Sequence, residues 1–480
     1  MFDWLWRKTQ KNKRSASATG RRRLLMESLE TRELFAIGLV RDINSVPLNG
    51  NPEKLTQVGT AAYFQAKRTT GSYALWKTDG TTAGTVLVKD FGDSQPIANL
   101  TGVGTKLYFS RSDAAGDELW QSDGTSAGTK MVKDLFAGSV GSYPRELTNF
   151  NGTLFFRAQD SAGGYELWKS DGTAAGTARV RDIASGAASS NPKYLTVAGS
   201  QLLFQATEST GGTELWQSDG TFAGTVRVKD IVSGAGSSNP SNLTNVGGKV
   251  YFAATDGGGQ ELWVWGGTSA TTVRVSDIVP GSGSSSPQNL INVGGTLFFT
   301  ADTASTGREL WKSSGTDATT LLVKDVFPGT LGSTPTHLTN VGSKLYFAAD
   351  DDSGNNRLWV SDGSDATTNQ VGNFFVNPEN ITPFGSAVCF TALDAVGGHE
   401  LWKSDGTTDG TLQVKDIYAG APSSDPASLI NLSGKLLFVA SDPGRGRELW
   451  LSNGTGAGTV VLKDVVPGTE SANPSGAINV

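Results

Sequence analysis

The stretch "ELWKSDGTAAGT", Glu166–Thr177, decides the fold because it recurs. Its Leu-Trp pair returns at Trp76, Trp120, Trp168, Trp216, Trp263, Trp311, Trp359, Trp402 and Trp450, with spacings of 44, 48, 48, 47, 48, 48, 43 and 48. A fixed period of this size is the mark of a repeat architecture. Working outward from one copy, Pro240–Ile278 holds four apolar runs: "PSNLTNVGG", "KVYFAATD", "ELWVW" and "TTVRVSDI". They are rich in Val, Tyr, Phe, Thr and Trp and are separated by Gly, Ser, Asp and Pro, which reads as strands joined by turns. Four consecutive strands with short connections form one antiparallel sheet.

Such a sheet is unstable alone, so its faces must be covered. In "LFFRA", Leu154, Phe156 and Ala158 point one way and Phe155 the other; in "YELW", Leu167 and Trp168 lie on opposite faces. Apolar groups on both faces predict a sheet sandwiched between neighbours. The expected fold is therefore all-β, a single large β-propeller of four-stranded antiparallel blades, over residues 37–480. The count is about nine, with eight to ten as the range. The repeated tryptophan is expected to pack between blades. A β-solenoid is the alternative, disfavoured by the Gly-Gly, Asp-Gly and Asn-Gly turns, which suit hairpins. A spare fourth-strand sequence at Leu39–Ile43 and a spare first-strand sequence at Asn473–Val480 suggest a partial tenth blade.

The units "ELWKSDGT", "ELWQSDGT" and "VKDI" resemble the bacterial ELWxxDGT repeat family of exported or surface proteins, over roughly residues 39–480. The resemblance implies propeller-like repeats and carries no catalytic residue. Residues 1–36 form a separate leader, expected to be disordered. It is basic at first and lacks the apolar core of a secretory signal. Its end, "LLMESLETRELFA", resembles a short N-terminal segment of exported and surface proteins of planctomycete bacteria. The two resemblances together imply a secreted or cell-surface location.

Composition bounds the partners. The first 23 residues carry a net +7, which leaves −13 on the other 457. An acidic body argues against a nucleic-acid-binding face. No run of 18 apolar residues is present, so no membrane-spanning helix is expected. The single cysteine, Cys389, stands where sister units carry Tyr108, Tyr251 and Tyr346, and reads as a small buried apolar group.

Several repeated polar residues invite a chemical reading. Asp79, Asp123, Asp171, Asp219, Asp362 and Asp405 share a position filled elsewhere by Asn453, Ser314 and Gly266, an exchange that suits a turn and not a metal site. The aspartate of "VKD" (Asp42, Asp90, Asp134, Asp182, Asp230, Asp277, Asp325, Asp416, Asp464) ends the fourth strand and is expected to accept loop N–H bonds. A ring of calcium sites is the alternative. The glutamate before Leu-Trp (Glu118, Glu166, Glu214, Glu261, Glu309, Glu400, Glu448) is expected to pair across strands with the lysine of "VKD". "DDDSGNN" places Asp350, Asp352 and Asn356 at alternate positions around Gly354, either as a calcium loop or as a solvated acidic turn. His337 and His399 occur once each, and no catalytic set, zinc spacing or phosphate loop can be assembled.

Strand order puts the fourth-to-first connectors and the second-to-third loops on one face, and the Gly-Gly and Asp-Gly turns on the other. The first face carries the variable segments "DTASTGRE" (Asp302–Glu309), "DDDSGNNR" (Asp350–Arg357) and "DPGRGRE" (Asp442–Glu448). Variable loops on a rigid frame are where binding is expected. The expected function is an extracellular or cell-surface binding or adhesion scaffold for a polysaccharide or a surface protein. A carbohydrate hydrolase or lyase working in the central funnel is the alternative, and a purely structural surface protein is a third.

Overall fold

The computed structural model describes residues 50–68, 70–351, 353–373, 375–394 and 398–465. They form a nine-bladed β-propeller. Nine four-stranded antiparallel sheets span residues 53–90, 97–133, 145–181, 193–229, 241–274, 288–324, 336–370, 375–415 and 427–463, here blades 1 to 9. In every blade the strands lie side by side in chain order. The only helical elements among the described residues are two three-residue 3-10 turns, Asp317–Thr319 and Asp365–Thr367. The first strands are successive neighbours round the ring, and that of blade 9 meets that of blade 1.

The core lies between the blades. Each second strand contributes one fully buried phenylalanine, from Phe64 in blade 1 to Phe438 in blade 9, and the Leu-Trp tryptophan stands opposite it on the third strand. The Phe64 and Trp76 rings stack 6.4 Å apart. The indole packs against the preceding blade. Trp168 of blade 3 shares a buried cluster with Val103, Tyr108, Leu119, Val132 and Leu135 of blade 2. Eight of the nine tryptophans are buried, and Trp311 is half-buried. The repeated indole is thus an inter-blade packing element.

Each first strand carries a β-bulge, and at each bulge a non-glycine residue sits in the left-handed region: Lys54, Asn99, Glu146, Tyr194, Asn242, Asn289, His337, Asn380 and Ser428, with φ between 52° and 59°. A bulge inserts one extra residue and increases local twist, which suits the crowded inner strands. His337, which sequence singles out as unique, is one member of this backbone series.

The Asp-Gly turns also serve packing. Gly124 has φ +88°, and a Cβ there would lie 2.5 Å from the Tyr63 hydroxyl of the preceding blade. Blade 8 offers only Cys389 in the tyrosine position, and the Phe384 ring covers Gly454 instead. Cys389 is fully buried, and burial pushes its thiol up to about 12, which keeps it in the unreactive protonated form. Gly124→Ala is expected to cost about 1–3 kcal/mol, because a left-handed backbone and a close contact coincide. Gly104→Ala, with φ +59° and open space around the new Cβ, should cost about 1 kcal/mol. Urea unfolding of the two variants checks the difference.

Ring closure joins blade 9 directly to blade 1. Leu432, Leu437, Val439, Leu449, Leu462 and Val465 pack with Leu55, Phe64 and Trp76 in one cluster. The Thr82 hydroxyl donates to the Leu462 carbonyl at 3.2 Å. Leu39–Ile43 and Asn473–Val480, read above as a partial tenth blade, lie outside the described residues. The interface that such a blade would occupy is filled by the contact of blades 9 and 1.

Candidate functional site: the connector face

The connector face is built on a buried carboxylate. Glu166 is fully buried within its third strand, Gly163–Ser170. Its Oε1 accepts the N–H groups of Ala184 (3.3 Å) and Ser190 (3.0 Å), and its Oε2 accepts the Ile183 N–H (3.0 Å) and the Ser190 hydroxyl (2.6 Å). The connector from blade 3 to blade 4 therefore wraps one carboxyl group. Glu118, Glu214, Glu261, Glu309 and Glu400 hold their connectors alike, each with a serine hydroxyl at 2.6 Å.

This corrects the expected pairing of these glutamates with the lysines of "VKD". The lysines reach away to the next blade: Lys89 to the Thr129 carbonyl (3.0 Å), Lys133 to Thr177 (3.0 Å), Lys229 to Thr272 (2.7 Å) and Lys415 to Thr459 (2.8 Å). The reason is cost: a fully buried carboxylate needs several donors, and the connector supplies them. Where Ser276 replaces the lysine, its hydroxyl donates to Asp317 of the next blade instead (2.6 Å).

The clamp also explains the two short units. Ala74 and Arg357 replace the glutamate in the two units whose tryptophan spacing to the next is 44 and 43. A shorter connector has less backbone to wrap, and arginines hold it. Arg111, in a position filled by alanine in the other blades, is buried, pairs with Asp93 of the blade 1–2 connector and lies over the Phe91 ring. Arg357 donates to the carbonyl of Phe375 and pairs with Asp351 at 3.4 Å.

The other repeated carboxylates are structural. Asp79 Oδ1 accepts the N–H and hydroxyl of Thr81 at 2.9 and 2.7 Å; Asp123, Asp171, Asp219 and Asp405 do the same, as does the side-chain oxygen of Asn453. Bonding to the Thr81 hydroxyl holds the Asp79 carboxyl below its ordinary value. Of the "VKD" aspartates, Asp90, Asp182, Asp230 and Asp416 accept loop glycine N–H groups at 2.9–3.4 Å, as expected. In "DDDSGNN", Asp350 stands opposite Asn356 across the strands, and Asp352 lies outside the described residues. The turn is organised by Asp351, which sequence reasoning passed over: its Oδ1 accepts Ser353 N–H (2.9 Å) and Asn355 N–H (3.3 Å). No group of three His, Cys, Asp or Glu fit for a metal ion occurs among the described residues.

Against this uniform frame, one position varies. The residue three places before the repeated tryptophan, next to the clamping glutamate in seven of the units, is Tyr73, Asp117, Tyr165, Thr213, Gln260, Arg308, Asn356, His399 or Arg447, and all nine are half-buried. Several sit at the inner end of the face. Arg308 donates to the Ser286 carbonyl at 3.1 Å and Arg447 to the Asp425 carbonyl at 2.9 Å, both just before a proline that leads into a first strand. Asp117 pairs with Arg145 on the first strand of blade 3 at 3.0 Å. Sequence reasoning used His399 only as a unique residue; aligning the unit on its glutamate reveals the variable column around it.

Two members of that column, His399 and Arg447, line a cleft of about 400 Å³ between blades 8 and 9, with Glu379, Asn380, Ser423 and Asp425. Burial lowers the Arg447 guanidinium from its ordinary value, against the pull of Asp425 and Glu53. The cleft thus offers a planar cation, an imidazole and two carboxyl groups on non-repeated residues. Two further clefts, of about 370 and 560 Å³, lie among the Asp-Gly turns at Asp405 and Asp219 and are lined mainly by residues that the repeat supplies.

The fold and this face define a class, a nine-bladed β-propeller with a variable connector face. No family model and no curated protein matches the chain. Among solved structures, the β-propeller domain of the Trilobed protease from Pyrococcus furiosus is 10% identical with a TM-score of 0.38, over 77% of this chain and 96% of that one. Puromycin hydrolase is 11% identical with a TM-score of 0.37, over 72% of this chain and 58% of that one. Acylaminoacyl peptidase from Pyrococcus horikoshii is 10% identical with a TM-score of 0.38, over 86% of this chain and 52% of that one. The chain spans little more than half the length of the two enzymes. None of these likenesses assigns it an activity. Among the described residues no helix is long and apolar enough to cross a membrane.

Proposed function

We propose that the protein is an extracellular or cell-surface binding scaffold that takes a polysaccharide or a surface protein on its connector face, with the cleft of blades 8 and 9 as the principal contact. The reading is carried by one observation. A column of half-buried, varied side chains stands directly beside a clamp present in seven of the nine units. A rigid support with diverse residues on it is the arrangement binding requires. The leader "LLMESLETRELFA" and the ELWxxDGT units support the secreted or surface location. Calcium at Asp350, Asp352 and Asn356 belongs to the proposal only as the alternative to a solvated acidic turn, which the two calcium conditions below distinguish.

A glycan array and a surface-protein pull-down, each at low and high calcium, test the reading. His399→Ala is expected to weaken the retained ligand by about tenfold or more, while its unfolding midpoint stays unchanged. No retained ligand under either condition overturns the proposal. Cleavage of a polysaccharide that His399→Ala abolishes would replace binding with the hydrolase or lyase reading. Ordered self-assembly with no ligand would favour a structural component.

A further inference from the structure

The seventh clamp differs from the other six, and it sits where the ring closes. Glu448 does not hold a connector that runs on in the chain to the next blade. It accepts the N–H of Gly50, 398 residues away, at 3.0 Å and that of Val465 at 2.8 Å. Gly50 stands in the place of the clamping serine. Lys67 N–H donates to the Gly50 carbonyl at 2.7 Å as Thr207 N–H donates to Ser190 at 2.8 Å. Asn51 N–H donates to the Arg447 carbonyl as Asn191 N–H donates to Tyr165. The seam therefore copies an internal junction with one part missing, because glycine brings no hydroxyl. Glu448 is fully buried like the other clamps.

The charged groups around Glu448 do not compensate for that loss. Asp442, buried at the end of the second strand, and Asp464, at the end of the fourth, both oppose its ionisation. Asp442 is engaged by Arg445 at 2.9 Å. Arg447, the residue preceding Glu448, donates to the Asp425 carbonyl and feels Asp425 and Glu53. Lys67 meets the seam through its backbone. Burial raises the Glu448 carboxyl to about 8, against the two N–H donors.

We propose that Glu448 and Gly50 form a proton-operated latch on the ring: the neutral carboxyl lets blades 9 and 1 close, and its ionisation loosens the seam more than the internal junctions. The sign follows from linkage. A group whose folded value lies above its unfolded one stabilises fully at pH below the unfolded value. That contribution is lost as pH rises through the folded one. For Glu448 the window runs from its ordinary 4.5 to about 8. The six serine-bearing clamps keep an extra donor that favours their charged form, so the seam weakens most.

Hydrogen exchange of the full chain at about pH 6 and about pH 9, corrected for intrinsic rates, tests the latch. Amides of residues 51–58 and 460–465 are expected to lose roughly tenfold or more protection beyond the loss at residues 183–190. Glu448→Gln should remove that excess. Equal loss at the seam and at the internal junction in the native protein overturns the proposal, and this comparison stands even if the variant fails to fold. A seam that keeps its excess in Glu448→Gln overturns it as well.

Discussion

Glu166→Ala is expected to destabilise the protein by about 3–5 kcal/mol, the size set by several buried donors losing one shared acceptor. The N–H groups of Ile183, Ala184 and Ser190 and the Ser190 hydroxyl all end on this carboxyl. Each unsatisfied donor costs about 1–3 kcal/mol, and some will find water in the vacated space. Glu166→Gln keeps one acceptor oxygen but turns an NH2 toward donors, so about half that loss is expected. Urea unfolding measures the total, and hydrogen exchange over residues 183–190 localises it. A loss under about 1 kcal/mol would mean that something else holds the connector.

The same clamps set a pH dependence. Burial raises the carboxyls of Glu118, Glu166, Glu214, Glu261, Glu309 and Glu400 above their ordinary value, against the hydrogen bonds they accept. Their contribution is full below the unfolded carboxyl value and falls as pH rises through the folded ones. The urea midpoint should therefore decline from mildly acid to alkaline solution, and Glu166→Gln should flatten part of that slope.

Trp168→Ala is expected to cost about 3–5 kcal/mol, as for a buried large-to-small change that leaves a cavity. The indole is buried between blades 2 and 3, and its Nε1 donates to the Ala158 carbonyl at 2.9 Å. Trp311→Ala, at the half-buried member of the series, should cost about half as much. Thermal or urea unfolding of the pair distinguishes packing from ligand stacking. A stacking role predicts unchanged stability and lost binding in Trp168→Ala.

The architecture was legible in the sequence because it rests on period and alternation. Trp168 and Leu167 on opposite faces require covered sheets, and nine copies joined by hairpin turns favour a ring over a solenoid. The turn role of Asp171 was legible for a similar reason, since Asn, Ser and Gly replace its equivalents. Glu166 was misread because adjacency of the third and fourth strands suggested a partner one strand away. Its partners lie 17 to 24 residues on, in a loop whose path no local pattern encodes. The signal was present in the spacing: the glutamate is absent where the unit shortens, at Ala74 and Arg357. The cleft was not legible, because His399 and Arg447 meet only when two blades pack. Gly50 was hidden too, since its equivalence to Ser190 appears only when the chain closes on itself.

Face-on projection images of the purified full chain test the closed ring most directly. Nine radial densities, with the strand at residues 53–58 packed against the blade at residues 427–463, are the result predicted. A tenth density inserted between those two blades, or a rod in place of a ring, would contradict it.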